Sequence, residues 1–121
     1  MKYAFRSTLL ALAASTFASM ALAYPAKMQG GVLTNDAGMT LYTFDKDAGG
    51  KSACNGPCAG NWPPLAAAAD AKASGDWSIV TRDDGGKQWA YKGKPLYTWS
   101  KDAKPGDKTG DNFNNVWHVA R

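Results

Sequence analysis

A stretch of eight residues occurs twice in this chain, and that constrains the fold more than any other feature. Leu41-Tyr42-Thr43-Phe44-Asp45-Lys46-Asp47-Ala48 returns as Leu96-Tyr97-Thr98-Trp99-Ser100-Lys101-Asp102-Ala103, an offset of 55 positions. Holding that offset without a gap pairs Trp62 with Trp117 downstream. Upstream it pairs Gly38 with Gly93, and Gly30-Gly31 with Gly85-Gly86. One such match could be chance, but a register held from Gly30 to Trp62 marks a duplication. Repeats this short cannot each bury a hydrophobic face alone, so the halves, about 30–62 and 85–117, are expected to pack around one core.

The local signals are those of strands and turns. Met39 to Phe44 and Lys94 to Trp99 are rich in Thr and aromatics, and each follows a turn-forming Gly. Trp77 to Thr81 and Gln88 to Tyr91 alternate, with Asp83-Asp84-Gly85-Gly86 between them and Lys92-Gly93 after them. Alternation puts Trp89 and Tyr91 on one face and Gln88 and Ala90 on the other, and Trp89 is expected to point inward. Asn115 to Ala120 reads as a last short strand. Asn55 to Pro64 reads as a Gly/Pro-rich loop with room for one helical turn, and Leu65 to Ala73 as either helix or linker. All 10 acidic residues are Asp, which favours turns over helix interiors. The expected fold is mainly β: a small single domain of short antiparallel strands, made by two packed copies of the repeat.

The N-terminus has the pattern of a cleaved leader. Lys2 and Arg6 form a positive start, Ser7 to Met20 is uncharged and mostly apolar, and Ala21-Leu22-Ala23 offers a small-x-small cleavage site. Residues 1–23 are expected to be removed, leaving 24–121 in the periplasm or outside the cell. The apolar run falls short of the ~20 residues that a membrane span needs. No cysteine stands at the new N-terminus, so no lipid anchor is expected there. Two of the 14 Lys and Arg belong to this leader, and the others are scattered against 10 Asp. Nucleic-acid binding calls for a clustered basic face, and none is legible.

Written as Tyr42-x-Phe44-x-x-Asp47 and Tyr97-x-Trp99-x-x-Asp102, the repeat resembles the bacterial "secreted repeat of unknown function" family, also described as predicted lipoproteins with a Tyr-x-aromatic-x-x-Asp motif. The resemblance runs from about Gly31 to Arg121. It takes in Cys54-x-x-x-Cys58, Trp62-Pro63-Pro64-Leu65, the run from Asp84 to Tyr97, and Pro105-Gly106-Asp107 leading to Trp117-His118. The lipobox cysteine of many relatives is missing, so their membrane tether does not carry over. The resemblance supplies a name and no mechanism.

Several residues are candidates for chemistry. Asp47 and Asp102 could be paired acids or ligands for a hard cation. The alternative is structural: Tyr42, Phe44, Tyr97 and Trp99 face the core with Trp62 and Trp117, while each Asp closes a turn through backbone amides. Duplication favours the structural role, since catalysis rarely needs two copies of a group. Asp45-x-Asp47-x-Gly49-Gly50 brushes against an EF-hand loop, but no Glu exists to complete it. Cys54 and Cys58 belong to the first half alone. In an oxidising compartment they are most simply a disulfide staple; a redox-active or metal-binding dithiol is the sharper alternative. His118, the one histidine, could join them in a soft-metal or copper site if they were reduced. No Gly-x-Ser-x-Gly elbow, phosphate-binding loop or His-Glu-x-x-His occurs. The expectation is therefore a non-catalytic envelope protein with no cofactor, binding an unidentified partner or ligand. A periplasmic redox or copper-handling protein using Cys54 and Cys58, and a glycan-binding module using the aromatics, are the rival readings.

Overall fold

The computed structural model describes residues 25–121. The expected leader and its cleavage after Ala23 lie outside them. Short strands dominate: β1 Ala26–Gln29, β2 Val32–Asn35, β3 Tyr42–Phe44, β4 Trp77–Thr81, β5 Lys87–Tyr91, β6 Lys94–Pro95 and β7 Trp117–Val119. They form three antiparallel sheets, β1-β2, β3-β7 and β4-β5-β6. The fold is mainly β, as the sequence implies. Among the described residues helix is confined to one five-residue turn, α1 Pro57–Asn61, and a 3-10 turn at Phe113–Asn115. Leu65 to Ala73 forms no helix: its start runs alongside β5 and β6, with Leu65 N–H bonded to the Leu96 carbonyl and Ala67 N–H to the Lys87 carbonyl.

The duplication appears as a pseudo-two-fold axis. Tyr42 and Tyr97, equivalent by sequence, bond to each other: Tyr42 N–H donates to the Tyr97 carbonyl at 2.8 Å and Tyr97 N–H to the Tyr42 carbonyl at 3.0 Å. Around that pair the bonds come in matched sets. Ala120 N–H to Leu41 O is matched by Leu65 N–H to Leu96 O, and Asp45 N–H to Val116 O by Ser100 N–H to Asn61 O. The end of each repeat therefore lies on the central strand of the other. A hairpin that shares no ladder with its copy would be marginal by itself, so this exchange is what joins the two halves.

The gapless register needs one correction. From Gly38 and Gly93 onward the offset of 55 holds. Upstream, Leu33 N–H bonds Ala120 O where Trp89 N–H bonds Leu65 O, which makes Leu33 equivalent to Trp89, one position further along. Asn35 and Met39 enclose a three-residue turn, whereas Lys92-Gly93 alone joins the paired Tyr91 and Lys94. Gly30-Gly31 closes a two-residue turn between Gln29 and Val32, while Gly85-Gly86 ends a longer loop between Thr81 and Lys87. Their match in sequence is not an equivalence in space.

Two apolar clusters fill the interior. One gathers Tyr42, Tyr97, Trp62, Trp99 and Trp117 with Val32, Cys54 and Val119. The other gathers Ala26, Leu33, Leu41, Leu96, Trp77 and Ala120. The alternation of β5 is present, but its faces are reversed from expectation. Gln88 and Ala90 are buried, and Trp89 and Tyr91 are half-buried. Gln88 can be interior because its amide is satisfied: Nε2 donates to Leu96 O at 2.8 Å and Oε1 accepts from Arg82 Nη1 at 2.8 Å. Trp89 and Tyr91 instead pack about Trp77 at the margin of the second cluster.

Candidate functional site

The repeated motif is joined crosswise. Tyr42 Oη donates to Asp102 Oδ2 and Tyr97 Oη to Asp47 Oδ2, each at 2.7 Å. The second oxygen of each carboxylate collects a loop amide, Thr109 N–H for Asp102 and Ala53 N–H for Asp47. The other aromatics form a continuous stack through the axis. Ring centroids are 4.1 Å apart for Phe44 and Trp117, 3.8 Å for Trp117 and Trp62, and 3.9 Å for Trp62 and Trp99. Tyr42 stands edge-on to Trp62 and Tyr97 edge-on to Trp117. All eight motif residues thus meet in one assembly. Burial pushes both phenols well above their usual range, and it also raises the Asp47 carboxyl.

Cys54 and Cys58 are joined, with S–S 2.04 Å; Cys54 is buried and Cys58 half-buried. Their loop is held by Arg82, a residue that sequence reading passed over. Arg82 is 5% exposed, and its guanidinium donates to Cys54 O, Ser52 Oγ, Gln88 Oε1 and Asn55 Oδ1. Ser52 Oγ in turn lies 2.6 Å from Tyr97 Oη. Among the described residues no three His, Cys or Asp side chains converge as a metal site. His118 is engaged elsewhere: its Nε2 is 2.8 Å from Asp45 Oδ2, and its Nδ1 is 3.3 Å from Asn112 Oδ1.

That pair opens on a cleft of about 290 Å³ lined by Thr43, Asp45, Tyr91, Lys92, Lys94, His118 and Arg121 over a floor of Leu96, Val119 and Ala120. A smaller pocket beside it shares Thr43, Asp45 and Lys94. The strand β3 supplies Thr43, and Asp45 follows directly after it; β7 supplies His118, β6 supplies Lys94, and the tight turn between β5 and β6 supplies Lys92. The pseudo-two-fold separates this surface from its counterpart. At 55 positions' remove, His118 becomes Pro63, Asp45 becomes Ser100, Lys94 becomes Met39 and Arg121 becomes Ala66. Asn35 takes the place of Tyr91, and the Asp36–Ala37 turn that of Lys92. Asp45 against Ser100 is a mismatch inside an otherwise well-matched run, and that was the one signal in the sequence pointing here.

A family model described as "Secreted repeat of unknown function" matches residues 26–66 and again 78–121. No curated protein and no solved structure matches.

Proposed function

We propose, from the premise that this chain belongs to the family of secreted repeats of unknown function, that it is an exported, non-catalytic binding module whose working surface is the cleft beside His118. The observation that carries this reading is the break in symmetry. Residues that both halves carry are spent on one another: tyrosine on aspartate, ring on ring. Asp45, His118, Tyr91, Lys92 and Lys94 occur once, converge from three strands and two turns, and line the cleft. Groups that the fold needs in duplicate do not explain groups present singly.

The Tyr42–Asp102 and Tyr97–Asp47 pairs, the aromatic stack and the Cys54–Cys58 staple belong to the scaffold in this reading. A five-residue disulfide ring adds about 2 kcal/mol on the chain-entropy model, and its anchoring to Arg82 ties the loop to Tyr97. Export to the periplasm or beyond, after removal of 1–23, completes the proposal. Among the described residues no helix is long and apolar enough to cross a membrane. The test is an amide-resolved NMR screen of the oxidised protein against soluble fragments of the cell envelope. The reading expects shifts centred on Thr43, Asp45, Lys92 to Lys94 and His118. Shifts centred instead on the Cys54–Cys58 loop, or on the Ala37–Met39 face, would contradict it.

A further inference from the structure

We infer that the cleft takes a sugar-sized organic anion, a carboxylate or phosphate carried on a polar body, with Lys92 and Lys94 meeting its charge. The inference rests on the cleft being the binding surface. Three features carry it.

The first is charge. Lys92, Lys94 and Arg121 are exposed on the rim, and the one acid lining the cleft, Asp45, is already engaged by His118. Among the described residues neither lysine takes part in an ion pair. Like charges gathered around a concavity, with no acid spent on them, raise the local potential and draw anions in. The pseudo-two-fold face, with its turn one residue longer, places no cation at any of these positions. The fold therefore does not require them.

The second is backbone strain. The turn from β5 to β6 has two central residues, both with positive φ: Lys92 at +52° and Gly93 at +82°. Asn or Gly is the easier residue at the first position of such a hairpin turn, and a lysine there is held against its preference. Its ammonium is 5.3 Å from the Tyr91 ring centroid, at the edge of the cleft.

The third is size and lining. About 290 Å³ is at the lower end of small-molecule pockets, which run from roughly 300 Å³. That is room for one sugar ring rather than a bare ion. Leu96, Val119 and Ala120 make an apolar floor, and Thr43, Asp45 and His118 offer hydrogen-bonding groups at its side. A polar ring has a use for those groups, whereas an inorganic ion would leave the floor idle.

The experiment titrates the disulfide-intact protein with glucuronate, glucose 6-phosphate, glucose and inorganic phosphate, reading amide shifts and affinity at low salt. Glucuronate or glucose 6-phosphate should move the amides of Thr43, Asp45, Lys92, Lys94 and His118, and bind at least about tenfold tighter than glucose. The tighter of the two identifies the source of the charge. Lys92→Gln with Lys94→Gln should weaken binding by about tenfold, two partly screened contacts' worth. Lys104→Gln, which removes a charge remote from the cleft, should leave binding unchanged. Melting curves of the variants confirm that they fold. Glucose binding the same amides as tightly as its anions would overturn the inference and leave the binding cleft standing. Inorganic phosphate matching glucose 6-phosphate would overturn the sugar-sized part. No shift at the cleft with any probe would overturn the inference, and the envelope screen then decides the broader reading separately.

Discussion

Tyr42 and Tyr97 are the residues on which the two repeats depend. Each places its hydroxyl on an aspartate of the other repeat, 60 and 50 positions away. Neither partner could be read from the motif itself, because Tyr-x-aromatic-x-x-Asp invites a local pairing. What was legible was the inward tyrosine and an aspartate bonded to loop amides; the exchange between copies was not. Tyr42→Phe and Tyr97→Phe should each cost about 1–3 kcal/mol in urea melts, since the first leaves the buried Asp102 and the second the half-buried Asp47 short of a donor. A variant with no loss would show that the pair is incidental. The carboxyls also titrate in opposite directions. Burial holds Asp47 above the usual 3.8, so its contribution to stability is complete below that pH and is lost as pH rises through its raised value. Asp107 is held below 3.8, chiefly by the Ala103 amide, so its contribution is present above 3.8 and is lost as pH falls. Carboxyl carbon shifts followed from pH 2 to 7 should show the two midpoints on either side of 3.8.

At the scale of elements, the turns carry what sequence could not place. The strands β3, β4, β5 and β7 were legible because Thr, aromatics and alternation mark them. By contrast β1 and β2 were not read, and of Lys94 to Trp99 only Lys94–Pro95 is strand. The register upstream of Gly38 was not legible, because a three-residue turn in one half answers a two-residue turn in the other. Hydrogen bonds fix that slip, and the glycines that seemed to confirm a gapless match sit in unlike loops. Trp89 was misplaced for a related reason: alternation gives two faces but not which one is interior. The satisfied amide of Gln88 and the buried Arg82 decide it. The tight turn at Lys92-Gly93 yields a prediction. Lys92→Asn should stabilise the protein by about 0.5 kcal/mol, because Asn accepts positive φ more readily. The same change should weaken anion binding at the cleft. A melting temperature that falls would mean that Lys92 is held by contacts the turn geometry does not reveal.

At the scale of the whole molecule, duplication and exchange account for both the stability and the one-sidedness of the protein. A chain this short has a modest core, and a ring stack of Phe44, Trp117, Trp62 and Trp99 running through the axis supplies much of it from both halves at once. Even the small residues serve that stack: a Cβ on Gly110 would come within 2.7 Å of Trp62. Two copies that complete one another leave little freedom along the axis, and variation collects where one copy faces solvent alone, as at His118 and Lys94. From sequence the duplication could be seen and the cleft could not, because its lining is scattered over three separate segments of chain. The central claim is that neither repeat is a folding unit by itself, and fragment complementation tests it most directly. Residues 25–70 and 71–121 would be prepared as separate peptides and followed by near-ultraviolet circular dichroism, alone and mixed. Each should be unfolded alone, and the equimolar mixture should recover the signal of the intact protein. Two peptides that each fold as monomers, with no change on mixing, would contradict the claim.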